Sequence, residues 1–290
     1  MKKYCLAFVF LLLALLSCEK KEELSESYLV VEGWIENGDF PVVMVSETIG
    51  ISSGTLISPK DMIEHVGKWA KVSVNDGEKT VVLTGMADSR YFPPYIFTTN
   101  SIRGETGKTY TLEVEYKDYK ATARTTIPRP VPIDTLYIRE VAKDSTCILM
   151  CGFSDPQQEE NFYRIVAMSK GEDSNYHSCT LTTTTDAVME GYSEIPVFNI
   201  TRLLGYGSKP NIKLGEEIWM KLYTMDEASF NYWSDFELMK DYNMVGLNMN
   251  FSSIRHNVDG ALGYWNGYGV DGEKSILITD EEHFPTAAQE

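Results

Sequence analysis

Lys108-Thr109-Tyr110-Thr111-Leu112-Glu113-Val114-Glu115-Tyr116 alternates without a break, with Tyr110, Leu112, Val114 and Tyr116 on one side and Thr109, Thr111, Glu113 and Glu115 on the other. A strand turns successive side chains to opposite faces, so this stretch reads as a half-buried β-strand. Lys117-Asp118 then turns the chain into a second strand, Tyr119 to Ile127. Upstream, Tyr28 to Ile35 and Pro41 to Glu47 are rich in β-formers and are separated by the turn residues Asn37-Gly38-Asp39. Ala70 to Val74 and Thr80 to Leu83 flank Asn75-Asp76-Gly77-Glu78, where the Asp-Gly pair supplies the positive φ values of a tight hairpin. Roughly seven short strands with few helical stretches over residues 26–129 predict an immunoglobulin-like β-sandwich, with Tyr110 in the place of a tyrosine corner.

Ile127-Pro128-Arg129-Pro130-Val131-Pro132-Ile133-Asp134 closes this unit. Prolines at alternate positions fix φ and remove donors, so the segment should run extended and space two domains. Residues 130–290 repeat the β composition: Thr135 to Val141, Thr146 to Phe153, Phe162 to Ser169, Ser178 to Thr185, Glu216 to Met225, Ala261 to Tyr264 and Lys274 to Thr279. Asp226 is placed as an N-cap, and Phe230, Trp233, Phe236 and Met239 recur at helical spacing, which predicts one helix near 227–242 packed on a sheet. The expected fold is therefore mostly β, two sandwich domains in tandem, the second with one inserted helix.

The N-terminus carries a different kind of signal. Lys2 and Lys3 precede an apolar run from Leu6 to Leu16, shorter than the ~20 residues of a spanning helix, so residues 1–17 read as a secretion signal. It ends Leu15-Leu16-Ser17-Cys18, which resembles a bacterial lipobox with Leu at −3 and a small residue at −1. That resemblance implies acylation of Cys18, and acyl chains contribute ~0.8 kcal/mol per buried methylene toward holding a protein on a bilayer. Residues 18–25 are charged and read as a tether, in which Lys21-Glu22-Glu23 resembles the export signal of surface lipoproteins of the Bacteroidetes.

Loss of Lys2 and Lys3 with the signal leaves 24 basic residues against 42 acidic ones, a formal charge of −18. So acidic a chain is unsuited to nucleic acid and to anionic headgroups. Beyond Cys5 and Cys18 the cysteines are Cys147, Cys151 and Cys179. Cys147 and Cys151 share a strand face ~13 Å apart, too far to bridge each other. Buried free thiols are the expectation, with Cys179 as one member of any bridge that forms.

Searched for chemistry, the chain offers no H-E-x-x-H, G-x-S-x-G or phosphate loop, and His65, His177, His256 and His283 have no local ligand spacing. No catalytic residue, metal ligand or cofactor is assigned, and a binding role is expected rather than an enzymatic one. Two aromatic clusters are candidate contact sites for a ligand or partner: Tyr91, Phe92 and Tyr95 in a proline-rich loop, and Tyr264, Trp265 and Tyr268 in a glycine-rich one. Exposed rings stack on sugar faces or anchor interfaces, whereas shielded rings would plug the ends of the sandwiches. Shielding of Trp265 would remove the second cluster as a ligand site.

Leu29 to Gly38, the Ile127 to Asp134 junction, Asn161-Phe162-Tyr163-Arg164, Asn231-Tyr232-Trp233, and Ile254 to Trp265 ending Gly260-Ala261-Leu262-Gly263-Tyr264-Trp265 resemble, in order, the domain-of-unknown-function 4249 family. That resemblance implies a Bacteroidetes outer-membrane lipoprotein, of a kind often encoded beside TonB-dependent receptors. It brings no activity and no catalytic residues. The functional expectation is an outer-membrane, surface-facing accessory or binding component of a TonB-dependent nutrient uptake system, with a receptor of that class as partner. A glycan-binding lipoprotein or adhesin is the alternative.

Overall fold

A computed structural model of the chain describes residues 27–49, 58–141, 146–157, 159–173, 175–179, 182–188, 191–197, 199–201, 212–244 and 253–279. Cys18, with the expected signal and tether, lies outside the described residues. The fold is mostly β, as the alternating stretches require. One sheet runs Leu262–Tyr268, Leu29–Glu36, Val42–Glu47, Tyr95–Thr98, Thr84–Ala87. It faces a second of Val258–Asp259, Tyr119–Thr126, Thr109–Tyr116, Lys71–Asn75, Thr80–Val82. Val31, Val43, Leu112, Val114 and Trp265 meet between them.

The other half repeats the arrangement. Thr146–Ser154 pairs with Thr135–Val141, Tyr192–Val197 and Ile212–Lys213. Opposite lies a sheet of Ile200–Thr201, His177–Cys179, Phe162–Ser169, Glu217–Met225 and Lys274–Leu277. Leu149, Phe153, Ile165, Ile218 and Met220 form that core. The proline-rich junction does more than space the halves, because Ile127 belongs to the first core while Val131 and Ile133 belong to the second.

Residues 258–268 depart from expectation. The sequence predicts that Ala261 to Tyr264 finishes the second half and that a loop follows from Trp265. Leu262–Tyr268 is instead one strand, hydrogen-bonded in parallel to Leu29–Glu36, so the chain returns to the first sandwich. Two glycines permit it. Gly263 has φ 110°, and a Cβ there would stand 1.9 Å from the Val31 carbonyl oxygen. Gly33 lacks the Cβ that would come within 2.9 Å of the Trp265 ring.

Local chemistry elsewhere follows the sequence more closely. The Tyr110 hydroxyl accepts from the Glu105 amide (2.8 Å) and donates to the Arg103 carbonyl (3.2 Å), which is the expected corner. The hairpin after Lys71–Asn75 closes with Gly77 alone at positive φ (90°). Asp76 stays out of that region, because its carboxylate accepts from the Glu78 and Lys79 amides at 3.0 and 2.9 Å. A short helix, Pro59–Glu64, was not anticipated; Ser58 and Asp61 form its capping box. The long helix is Glu227–Met244, and Asp226 caps it by accepting from the Ser229 amide at 2.9 Å.

Cys147, Cys151 and Cys179 are free and buried. Burial pushes the Cys147 thiol up to about 11 and those of Cys151 and Cys179 up to about 12. The thiolate is the nucleophile, so iodoacetamide at about pH 8 should label none of the three in the folded protein and all three after denaturation. Labelling of any one of them under native conditions, read by mass spectrometry, would contradict this packing.

Candidate functional site

The strand Leu29–Glu36 turns Val31 and Ile35 into its core, so Val30, Glu32, Trp34 and Glu36 point the other way. Register extends this outer face onto both neighbours. The parallel strand sets Tyr264 beside Glu32, Asn266 beside Trp34 and Tyr268 beside Glu36; the antiparallel one sets Met44 beside Glu32 and Ser46 beside Val30. Tyr264 and Trp265, adjacent in sequence, therefore face opposite ways.

The outer sheet face is covered at one end and open at the other. At the covered end, Glu36 takes the Lys221 ammonium at 2.7 Å and the Tyr223 hydroxyl at 2.7 Å, joining the two halves. Tyr268 stacks on Tyr223 with centroids 4.2 Å apart and accepts the Trp233 indole N–H at 2.8 Å. Asn266, fully buried, is oriented so that its oxygen takes the Tyr268 hydroxyl at 2.9 Å and its nitrogen donates to Ser229 at 2.9 Å. The helix Glu227–Met244 is pinned here as well, since Thr125 donates to Asp226 at 2.8 Å.

Beyond that contact a cleft of about 810 Å³ opens between the halves. Its floor is the outer sheet face with Val30, Glu32, Trp34, Met44 and Tyr264. The helix contributes Tyr232, Trp233 and Phe236. Tyr232 and Trp233 lie 4.8 and 5.1 Å from the Tyr264 ring, and the Arg164 guanidinium sits 3.5 Å over Trp233. The far wall is Glu172, Asp173, Asn175, Tyr176 and His177 from the second half; the rim is Ser89, Arg90, Tyr91, Phe92 and Pro93. Tyr91 meets Trp34 at 5.9 Å.

Most charges around the cleft are matched locally. Arg90 is held by Asp88 at 2.6 Å, Glu47 by Lys117 at 2.5 Å, and His177 lies 3.6 Å from Asp173. Glu32 has no hydrogen-bond or ion-pair partner among the described residues, and desolvation raises its carboxyl above the ordinary carboxylate range. Burial first, and then the neighbouring Glu32, hold the Tyr232 and Tyr264 hydroxyls well above the usual phenol range, so both stay protonated. Among the described residues no group of three or more His, Cys, Asp and Glu side chains is placed to hold a metal ion.

Of the six aromatic residues proposed from sequence, Tyr91, Phe92 and Tyr264 line one cleft although they come from separate clusters. The other three do not. Tyr95 packs edge-on against Phe97 and donates to the Lys68 carbonyl. Trp265 is fully buried, its indole N–H on the Tyr110 carbonyl at 3.1 Å, so the second loop fails as an exposed ligand site. Tyr268 lies within the contact between the halves. Sequence reasoning missed Glu32, Trp34, Tyr176 and Tyr232. The signal available was a carboxylate and a tryptophan two apart on the polar side of an otherwise apolar strand.

Comparison with solved structures finds a chain of a cytokine receptor complex at 8% identity and TM-score 0.26, covering 69% of this chain and 92% of that one. It also finds a DUF4785 family protein from Legionella pneumophila at 11% identity and TM-score 0.22, covering 70% of this chain and 54% of that one. No curated protein matches. A family model described as domain of unknown function (DUF4249) matches residues 17–274.

Proposed function

This chain belongs to the DUF4249 family, and from that footing we propose that it is a lipid-anchored binding component of a TonB-dependent uptake system at the bacterial outer membrane. Cys18 carries the acyl chains, residues 18–25 serve as tether, and the two sandwiches face the cell surface. The protein holds a ligand without transforming it and hands it to a receptor barrel. What supports the reading is the cleft: about 810 Å³, in the range of small-molecule sites, floored by a sheet and walled by aromatic rings from both halves. The glycan-binding alternative rests on the same rings, which can stack on sugar faces.

The test is fractionation of cells making the wild type and Cys18→Ser. Wild type should sediment with membranes and, after gentle detergent extraction, co-purify with an outer-membrane barrel, whereas Cys18→Ser should move to the soluble fraction. A serine variant still bound to membranes would overturn the anchor, and extraction of the wild type as a lone monomer would overturn the receptor partnership. Retention on a polysaccharide column that is lost on Trp34→Ala would favour the alternative.

A further inference from the structure

We propose that the cleft binds a small organic molecule through a positively charged nitrogen, with Glu32 as counter-ion and the surrounding rings as its cage. The proposal rests on the reading of this cleft as a ligand site and adds the class of ligand. Glu32 is where the argument starts. It stands on the cleft floor between Tyr264 and Met44, and no described cation or hydrogen-bond donor meets its carboxylate. A half-buried carboxylate on a cleft floor loses part of its hydration with no partner to replace it, and such a cost persists where a ligand offsets it.

The neighbouring side chains narrow the choice. Trp34, Tyr264 and Tyr232 line the cleft with Glu32, Tyr264 directly beside it on the neighbouring strand and Tyr91 against Trp34, while the Trp233 ring behind them already carries the Arg164 guanidinium. Ring faces attract a diffuse cation by their quadrupole, and the attraction grows when the cation is desolvated. A hard metal ion is a poor occupant, because it needs several oxygen ligands and the floor supplies one carboxylate among carbons. An anion is poorly served too: Arg90 and Lys117 are already paired with Asp88 and Glu47, the His65 ring is bonded to the Asp61 carbonyl at 2.7 Å, and Arg164 is buried behind the cleft lining, its guanidinium over Trp233 and donating to the Ser178 hydroxyl. The volume exceeds a bare ammonium head, so the cationic group should be one end of a larger, partly apolar molecule.

Isothermal titration with benzyltrimethylammonium and choline, beside dimethylbutanol as the uncharged carbon isostere of choline, tests the charge directly on the wild-type protein. The cations should bind and the isostere should not. Glu32→Gln should weaken cation binding by about tenfold or more while leaving the unfolding midpoint unchanged or higher, and Glu113→Gln, exposed on the opposite sheet, should leave binding alone. Equal binding of choline and its isostere would overturn the assigned charge. If Trp34→Ala then weakened both, the cleft would stand as a binding site for neutral ligands. Failure of every probe to bind would overturn the proposal, leaving the membrane and receptor reading to its own fractionation test.

Discussion

Trp265→Ala should lower the stability of the folded chain by about 3–5 kcal/mol, the range for truncating a buried tryptophan or phenylalanine. The ring is fully buried in the first core, its edge fills the space left by Gly33, and its N–H is satisfied by Tyr110. The substitution removes apolar packing and leaves the Tyr110 carbonyl to find another donor, so both effects act in one direction. Because this ring reaches the first sandwich from residue 265, the same reasoning extends to truncation. A fragment of residues 27–129 lacks the strand Leu262–Tyr268 beside Leu29–Glu36, and lacks Val258–Asp259 beside Tyr119–Thr126. It should show no cooperative urea transition and should be digested rapidly. A sharp, native-like transition from that fragment would mean that the returning strand is dispensable.

Glu36→Ala is the second large effect, expected at about 3 kcal/mol, because it leaves the Lys221 ammonium without its partner in a largely shielded contact. Lys221 is 18% exposed and Glu36 10%, so solvent can do little to replace the lost bond. The Tyr223 hydroxyl loses its acceptor in the same step, next to the ring it stacks on. The sign of the remedy is informative. Lys221→Met added to Glu36→Leu removes both charges and should recover most of the loss, since well-packed apolar pairs replace buried ion pairs at little cost. Thermal unfolding of Glu36→Leu, of Lys221→Met and of the double variant makes the cycle. Losses that simply add would show that the two residues do not act as a pair.

Three levels of this protein were legible in the residues to different degrees. Period-two alternation located strands such as Thr109–Tyr116 within a residue, since it reports directly which side chains share a face. The stripe of Phe230, Trp233, Phe236 and Met239 located the helix, and its rings do pack at the contact between halves. Turn chemistry was partly legible: Gly77 took the positive φ it was assigned, whereas Asp76 used its carboxylate instead.

By itself, then, the chain's order of residues determined most of the elements, the mostly β class and the family, because backbone pleat, caps and glycines act over a few neighbours. Pairing across more than two hundred positions was decided only in three dimensions. The entropic cost of closing a loop rises slowly with its length, so distance along the chain selects no partner. The same holds for the site. Alternation marks Glu32 as outward-facing, and outward ordinarily means solvent; docking of the helix and the second sandwich over that face turned it into a cleft floor, and gave Tyr264 and Trp265 opposite fates.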